Sequence, residues 1–168
     1  MARNVEIKAR NNDIEALAAK VSEIADKGQI EIFQDDTFFA CPNGRMKLRT
    51  FSDNEGQVIF YRRPNQAGPK ESVYSISPVT SPDKIREVLS HAYGQTSRVR
   101  KHRTLFIIGR TRVHFDRVEG LGDFMELEVV PAEKEPAEAG VMVANELLCK
   151  LGISPDMLIE GAYVDLLE

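Results

Sequence analysis

The sequence predicts an α+β fold in which about eight antiparallel strands form a closed or nearly closed β-barrel (a tunnel), with helices packed outside it. Two patterns support this prediction. Many short segments alternate between apolar and charged residues, as half-buried strands do, while a few longer segments carry apolar residues at helical spacing. The chain has 168 residues, of which 42% are hydrophobic and 29% are charged, which suits one domain over residues 1–168.

The strands are predicted from alternation with a period of two residues. They cover residues 3–10, 29–40, 45–51, 57–63, 70–78, 97–108, 111–119 and 123–130. Asn43-Gly44 and residues 54–56 have the composition of hairpin turns, and Gly109 and residues 120–122 fit turns later in the chain. Short connections of this kind favour antiparallel pairing of neighbouring strands.

Three helices interrupt or follow the strands. The first covers residues 12–27, where apolar residues recur every three or four positions. Pro82 begins the second, which extends to about Tyr93, because proline is favoured in the first turn of a helix. The third covers residues 136–151, and a short helical tail near residues 155–167 closes the chain.

The bulk composition narrows the classes of function. A formal net charge of −4 argues against a general nucleic-acid surface, so we expect no nucleic-acid partner. Cys41 and Cys149 do not make a disulfide framework or a zinc site. Because no signal peptide and no membrane-spanning segment is present, we expect a cytoplasmic protein without a membrane partner. The sequence does not decide the oligomeric state, and a homodimer is compatible with it.

The charged residues of the alternating segments share one face of each strand. Some of these strands carry only basic residues in close pairs, whereas another carries only acidic residues. This face carries Glu6, Lys8, Lys47, Arg49, Arg63, Lys101, Arg103, Asp116, Glu126 and Glu128. Solvation would explain one such strand, but neighbouring like charges repel unless something binds between them. Because the helices can cover the apolar face of the sheet, the charged face would line the inside of the barrel.

An interior of this kind can bind a polyanion together with a divalent metal. Arginine and lysine bind phosphate, whereas carboxylates hold the metal. Glu126 and Glu128 are two positions apart and can reach one ion, and Asp116 on a neighbouring strand could supply a third ligand. Ligands that are all oxygen favour Mg²⁺ or Mn²⁺ over zinc. No Walker A sequence is present, so a P-loop does not bind the phosphate.

Several short motifs follow one another along these strands. They are NVEIK at 4–8, DTFF at 36–39, KLR at 47–49, YRRP at 61–64, KHR at 101–103 and GDFMELE at 122–128. In this order they resemble the motifs of the CYTH superfamily, or triphosphate tunnel metalloenzymes. This family includes class IV adenylyl cyclases, thiamine triphosphatases and inorganic triphosphatases. Each motif alone is short, but the ordered set extends to about residue 130 and makes the resemblance specific.

The resemblance implies an eight-stranded antiparallel tunnel with a small-molecule triphosphate inside, such as ATP, thiamine triphosphate or tripolyphosphate. It implies phosphate contacts for Lys8, Lys47, Arg49, Arg63, Lys101 and Arg103, and Lys8 and Arg63 are the candidate catalytic residues. It implies that Mg²⁺ or Mn²⁺ is held by Glu6, Asp116, Glu126 and Glu128. Further candidates for the tunnel lining are Glu71, Tyr74, Arg112 and His114.

The chain departs from the family pattern at Asn4, which replaces the first glutamate of E-x-E-x-K. An amide offers a cation a neutral oxygen but no charge, so a second divalent metal should be harder to hold there. The protein would then use one tightly held metal, or receive its second metal with the substrate, or have impaired catalysis.

The resemblance leaves three functions open. The first is hydrolysis of a nucleoside, organic or inorganic triphosphate, in which positioning and electrostatic stabilisation supply most of the rate. The second is a class IV-like adenylyl cyclase, in which the 3′-hydroxyl of ATP attacks its own α-phosphorus and pyrophosphate leaves. The third is binding of triphosphate or polyphosphate without catalysis. Residues 119–122 resemble the cyclase branch, but the sequence shows no clear purine-reading motif.

Overall fold

The computed structural model describes residues 2–167 and contains the predicted barrel. The strands are β1 (Ala2–Arg10), β2 (Lys27–Phe39), β3 (Arg45–Ser52), β4 (Glu55–Arg62), β5 (Lys70–Val79), β6 (Gln95–Ile108), β7 (Thr111–Val118), β8 (Gly122–Val129) and β9 (Leu158–Ile159). The first eight pair in the order β5-β4-β3-β2-β6-β7-β8-β1, and a further antiparallel pairing of β1 with β5 closes the ring. The prediction of a closed antiparallel barrel is therefore confirmed.

Strand β1 closes the barrel by pairing along both of its edges. Residues 5–10 pair with β8 on one edge, and residues 2–6 pair with β5 on the other. Beyond the end of β5, Lys8 and Ala9 pair instead with the short strand β9. The strand that carries the NVEIK motif is therefore fixed by three neighbours.

The helices lie outside the ring. They are α1 (Ile14–Ile24), α2 (Pro82–Tyr93), α3 (Ala137–Leu151) and α4 (Tyr163–Leu167). Val21 of α1 and Leu148 of α3 are buried against Ile7, Phe115 and Leu127 on the outer face of the barrel. Burying each such side chain stabilises the fold by about 1.5–3 kcal/mol. Among residues 2–167, no helix is long and apolar enough to cross a membrane.

Helix α3 approaches β1 closely at Gly140. A Cβ atom at this position would lie 2.7 Å from Cγ2 of Val5, which is nearer than packed carbon atoms approach one another. Val5 lies between Asn4 and Glu6 in β1, and its side chain points outward while theirs point inward. The absence of a side chain at Gly140 therefore lets the helix support the strand that carries two site residues.

The C-terminal segment differs from the predicted helical tail. It forms a 3-10 turn at Pro155–Met157, then β9, and only then the short helix α4. Gly161 takes a positive φ of 76°, which breaks a continuous helix, and Asp165 accepts a hydrogen bond from the Ala162 amide at 2.8 Å. The prediction was wrong here because periodicity does not show that β1 has a free edge for residues 158–159 to fill.

The two ends of the barrel differ in chemistry. At the closed end, a buried apolar cluster includes Phe38, Tyr61, Val99, Phe124 and Tyr163. The first four lie where β2 and β4 end and where β6 and β8 begin, which antiparallel pairing places at the same end, and Tyr163 belongs to α4. The opposite end, here called the mouth, is lined by the partly exposed side chains of Ile32, Phe51, Ile76 and Leu105.

Candidate active site

The barrel interior contains a cavity of about 350 Å³, a size typical of small-molecule sites. Of the residues predicted from sequence, the cavity is lined by Glu6, Lys8, Lys47, Arg49, Arg63, Lys101, Arg103, Glu126 and Glu128. Tyr74, Arg112 and His114 also line it. These side chains therefore share one cavity, and the individual functions assigned to them stay predictions.

Glu71 does not line the cavity, and the prediction that it would do so was wrong. It lies one position out of phase with Ser72 and Tyr74, which face inward, so its side chain is on the outer surface of β5. There it pairs with Arg3, with Nη1 and Oε2 3.2 Å apart.

Asp116 lies in the wall of the barrel and is fully buried, at 0% exposure. Its carboxylate accepts hydrogen bonds from Arg103 at 2.7 and 2.9 Å and from the Tyr163 hydroxyl at 2.6 Å. Burial by itself would raise the pKa of Asp116, but the charge and hydrogen bonds of Arg103 outweigh it and lower the pKa to about 2. Metal ligation by Asp116 would require these bonds to open, and it stays a prediction.

Asp36 holds three of the basic residues together near the closed end. It accepts two hydrogen bonds of 2.8 Å from Arg49 and one of 3.1 Å from Lys101, and Lys47 Nζ lies 3.5 Å away. Burial alone would raise its pKa, but the three cations hold the pKa of Asp36 well below its usual value. Asp36 is therefore an ionised carboxylate that keeps three phosphate-binding candidates in position.

The two lysines at this end have depressed pKa values. Burial and the neighbouring Arg49 lower the pKa of Lys47 to about 7, although Asp36 opposes the change. Burial in the same way lowers the pKa of Lys101 to about 8, again against the effect of Asp36. An anion that bound between them would favour the charged form of both lysines.

The C-terminal segment brings an aromatic side chain into the site. The ring centroid of Tyr163 lies 4.0 Å from Lys8 Nζ and 5.6 Å from Lys101 Nζ. A ring face attracts a cation at such distances, and more strongly where water is excluded. Arg63 lies nearby, 5.8 Å from the Tyr61 ring, and pairs with Glu6. The basic side chains therefore converge on the closed end of the cavity.

Carboxylates cluster on the neighbouring wall, formed by β1, β7 and β8. One ligand atom each of His114, Glu126 and Glu128 lies within 4.8 Å of the others. Burial would raise the pKa of Glu126, but Lys8, 3.4 Å away, and the hydrogen bond with His114 outweigh it and hold the pKa well below its usual value. These donors fit a divalent cation, because ionised carboxylates with one imidazole are common ligands for such ions.

Two residues that line the cavity, Asp36 and Tyr163, were not identified from the sequence. Asp36 belongs to the DTFF motif, but the second of two adjacent aspartates in a strand gives no sign that it pairs with three cations. Tyr163 lies in a tail whose path the sequence does not indicate. The HFD alternation of β7 did suggest that His114 faces inward.

The comparison with protein families shows which family this chain belongs to. The model of the CYTH domain matches residues 2–163. This chain belongs to the CYTH family. Adenylate cyclase CyaB from Aeromonas hydrophila is 24% identical over 172 residues, which cover 98% of this CYTH chain and 88% of the relative.

Solved structures show the same CYTH fold. The PH1012 protein from Pyrococcus horikoshii OT3 superposes with a TM-score of 0.87 at 20% identity, covering 97% of this chain and 98% of that one. A Hippeastrum protein, proposed as an adenylyl cyclase and found to have a dominant triphosphatase activity, gives a TM-score of 0.64 at 16% identity, with coverages of 91% and 89%. At such identities the likeness extends to the fold alone.

Proposed function

We propose that this protein is a divalent-metal-dependent enzyme that hydrolyses an organic triphosphate inside the barrel. The observation that carries the proposal is the placement of a basic closed end beside a carboxylate cluster in one cavity. The basic side chains match the charge of a polyphosphate, and the carboxylates match a cation that bridges to it. The relatives support an enzyme that acts on triphosphates.

The basic residues would bind and orient the phosphates. Lys8, Lys47 and Lys101 lie at the closed end, where they would hold the terminal phosphoryl group, while Arg49 and Arg103 would contact the phosphates behind it. Lys8 lies 3.4 Å from Glu126, so a phosphate bound to this lysine lies beside the carboxylate cluster. The buried apolar cluster at the closed end would limit the entry of bulk water to the bound phosphates and strengthen these contacts.

Glu126 and Glu128 would hold the cation, which when bound supplies charge neutralisation and polarises a phosphoryl oxygen or a water molecule. In the hydrolysis, a water oxygen forms a bond to the terminal phosphorus, and the bond to the bridging oxygen breaks. The electron pair of that bond goes to the leaving diphosphate, and one proton of the attacking water passes to a phosphate oxygen of the products. Arg63 and Lys8 would stabilise the charge that develops on the oxygens.

The mouth favours an organic triphosphate over inorganic tripolyphosphate. With the terminal phosphate at the closed end, the group attached to the α-phosphate would lie among Ile32, Phe51, Ile76 and Leu105. These side chains can contact a ring or an alkyl group, whereas tripolyphosphate has no group beyond its third phosphate and would leave these contacts unmade.

Cyclisation of ATP is the second candidate, because a relative that aligns with 98% of the chain is an adenylate cyclase. Both reactions would use the same basic residues and the same cation. They differ in the phosphorus that is attacked, which is the α-phosphorus in the cyclase. A cyclase must also hold adenine and ribose so that the 3′-hydroxyl can reach that phosphorus.

Product analysis tests the proposal. ATP, thiamine triphosphate and tripolyphosphate are each incubated with the protein and Mg²⁺ or Mn²⁺. Orthophosphate with a diphosphate product supports the hydrolase, while cyclic AMP with pyrophosphate replaces it with the cyclase. Absence of product from all three substrates, with thermal stabilisation by the same ligands, would overturn both in favour of a binding protein.

Paired variants separate the site from the surface in this assay. Replacing Glu126 and Glu128 with glutamine should abolish turnover while the fold is retained, because the amides keep the shape and lose the charge. Glu71→Gln on the outer face should leave turnover unchanged. Full activity of the double variant at saturating metal would contradict a cation held by these carboxylates.

A further inference from the structure

We propose that the cation site of this protein is a mixed nitrogen and oxygen site, with His114 and Asn4 as ligands beside Glu126 and Glu128, and that it selects Mn²⁺ over Mg²⁺. The inference rests on the proposed function in one respect only, because it assumes that a cation binds in this cavity. It assigns metal ligation to His114 and Asn4 and a metal preference to the site.

The first observation is the position of the His114 side chain. Its Nδ1 atom lies 3.2 Å from Glu128 Oε1 and 3.4 Å from Glu126 Oε1, and the residue is 4% exposed. Adjacent ligands of an octahedral ion are about 3 Å apart. The imidazole nitrogen therefore lies close to the spacing of adjacent ligands from one oxygen of each carboxylate, and the three atoms lie within 4.8 Å of one another. On binding a cation, Nδ1 would exchange its contacts with these oxygens for the ion.

The register of the barrel explains this arrangement. His114 of β7 is directly opposite Glu126 of β8, and Glu126 in turn is opposite Lys8 of β1. Glu128 is two positions further along β8 and faces the same way. The imidazole is therefore carried by a rigid strand in the middle of the sheet, not by a loop, which suits a ligand that must keep its direction.

The second observation is an amide oxygen of Asn4 with no partner. Asn4 is 4% exposed, and its Nδ2 donates a hydrogen bond of 2.8 Å to Glu128 Oε2. The Oδ1 atom of Asn4 is buried and has no hydrogen-bond partner within residues 2–167, and the Asn4 side chain lines the cavity. The Asn4 amide must have this orientation, because in the flipped orientation its oxygen would repel the Glu128 carboxylate that the NH₂ group now contacts. A buried acceptor without a donor is unfavourable, and a cation would satisfy it.

The charges around the site favour a transition-metal ion over Mg²⁺. Asn4 is neutral where the family motif has a glutamate, and Lys8 and Arg103 lie 3.4 and 3.5 Å from Glu126. Arg112 lies 3.5 Å from Glu128. Mg²⁺ loses its water reluctantly and relies on negative charge and oxygen ligands. Imidazole instead favours first-row transition metals, and among these Mn²⁺ also accepts carboxylate and amide oxygens.

Metal binding without substrate tests the inference separately from the enzymatic activity. Mn²⁺ is titrated into the protein, and the loss of the electron paramagnetic resonance signal of free Mn²⁺ gives the affinity. Mg²⁺ is then added as a competitor. Pulsed measurements on bound Mn²⁺ detect coupling to a directly bound ¹⁴N nucleus. We expect ¹⁴N coupling in the wild-type protein. We also expect Mn²⁺ to bind at least about tenfold more tightly than Mg²⁺, which is the scale on which substitutions around a metal site change its affinity.

Variants assign the ligands. His114→Gln should remove the ¹⁴N coupling and most of the preference, because an amide oxygen replaces the nitrogen, while Mg²⁺ binding changes little. Asn4→Ala should weaken Mn²⁺ binding without changing the ¹⁴N signal. His102→Gln is the matched control, because that imidazole lies on the outer face of β6 beside Glu31, and it should change nothing.

Each outcome decides the inference. Absence of ¹⁴N coupling in the wild-type protein, equal competition by Mg²⁺, or coupling that persists in His114→Gln would overturn it, and the first two need no variant to fold. If Mn²⁺ fails to bind while the protein turns over triphosphate with Mg²⁺, the inference fails and the proposed function stands. If Mn²⁺ binds through nitrogen but no product forms, the proposed function fails and the site remains.

Discussion

Replacing Asp36 with asparagine tests the electrostatic balance of the closed end. Asp36 is 1% exposed and is the shared carboxylate partner of Arg49, Lys47 and Lys101. Asparagine keeps the shape of the side chain but removes the negative charge. Three cations would then share a space with little water and without this counter-charge, so the folded protein should be destabilised.

The cost follows from the burial of these groups. Removing one partner of a buried ion pair costs about 3–5 kcal/mol. For a domain of this size, this corresponds to a fall in Tm of about 6–20 °C. Tripolyphosphate would bring negative charge to the same cations, so it should raise the Tm of Asp36→Asn more than that of the wild-type protein. Thermal unfolding followed by circular dichroism, with and without tripolyphosphate at low salt, measures both quantities.

Asp35→Asn is the control for this experiment. Asp35 is the preceding residue but points outward, where its partners Arg98 and Arg100 have side chains that are 35% and 44% exposed. Pairs that remain in contact with water contribute about 0–1 kcal/mol, so the Tm should change by about 4 °C or less. Equal losses in the two variants, or equal stabilisation of Asp36→Asn and wild type by tripolyphosphate, would refute the reasoning.

Three other outcomes check different parts of the molecule. The affinity for tripolyphosphate should fall as pH rises through about 7, because Lys47 loses its proton there, and should fall less in Lys47→Arg, which stays charged; calorimetry measures both. Gly140→Ala should lower stability by about 1–3 kcal/mol in denaturant unfolding, because the new methyl group contacts Val5. Ile76→Ser at the mouth should raise KM for an organic triphosphate, because it removes an apolar contact, and should leave KM for tripolyphosphate unchanged.

The inward direction of the charged residues could be predicted because strand geometry is simple. Successive side chains of a strand point to opposite faces, so Lys47 and Arg49 had to share a side that Leu48 does not. The same argument excludes Glu71 once the phase of β5 is set by Ser72 and Tyr74, but the sequence of β5 carries too little apolar contrast to fix that phase. Alternation therefore predicts which face of a strand a side chain occupies where the residues of the other face are clearly apolar.

Partnerships inside the barrel could not be predicted in the same way. Asp36 and Lys101 are far apart in the sequence and belong to different motifs. They meet because β2, which carries Asp36, lies between β3 and β6. Tyr163 reaches Lys8 only because β9 pairs with β1 and directs the chain towards the closed end. Both contacts depend on strand order, which follows from the closure of the whole ring and not from any one segment.

Under the proposed function, the ion pairs of the cavity would also link a bound cation to a triphosphate. Lys8 now pairs with Glu126, and Arg103 also lies within 3.5 Å of it. A cation at Glu126 would neutralise this carboxylate and free both basic side chains for phosphate oxygens. By linkage, a bound triphosphate would then tighten cation binding by the same factor. Neutral Asn4 makes this coupling more important, because the site has less charge of its own to hold the ion before the substrate enters.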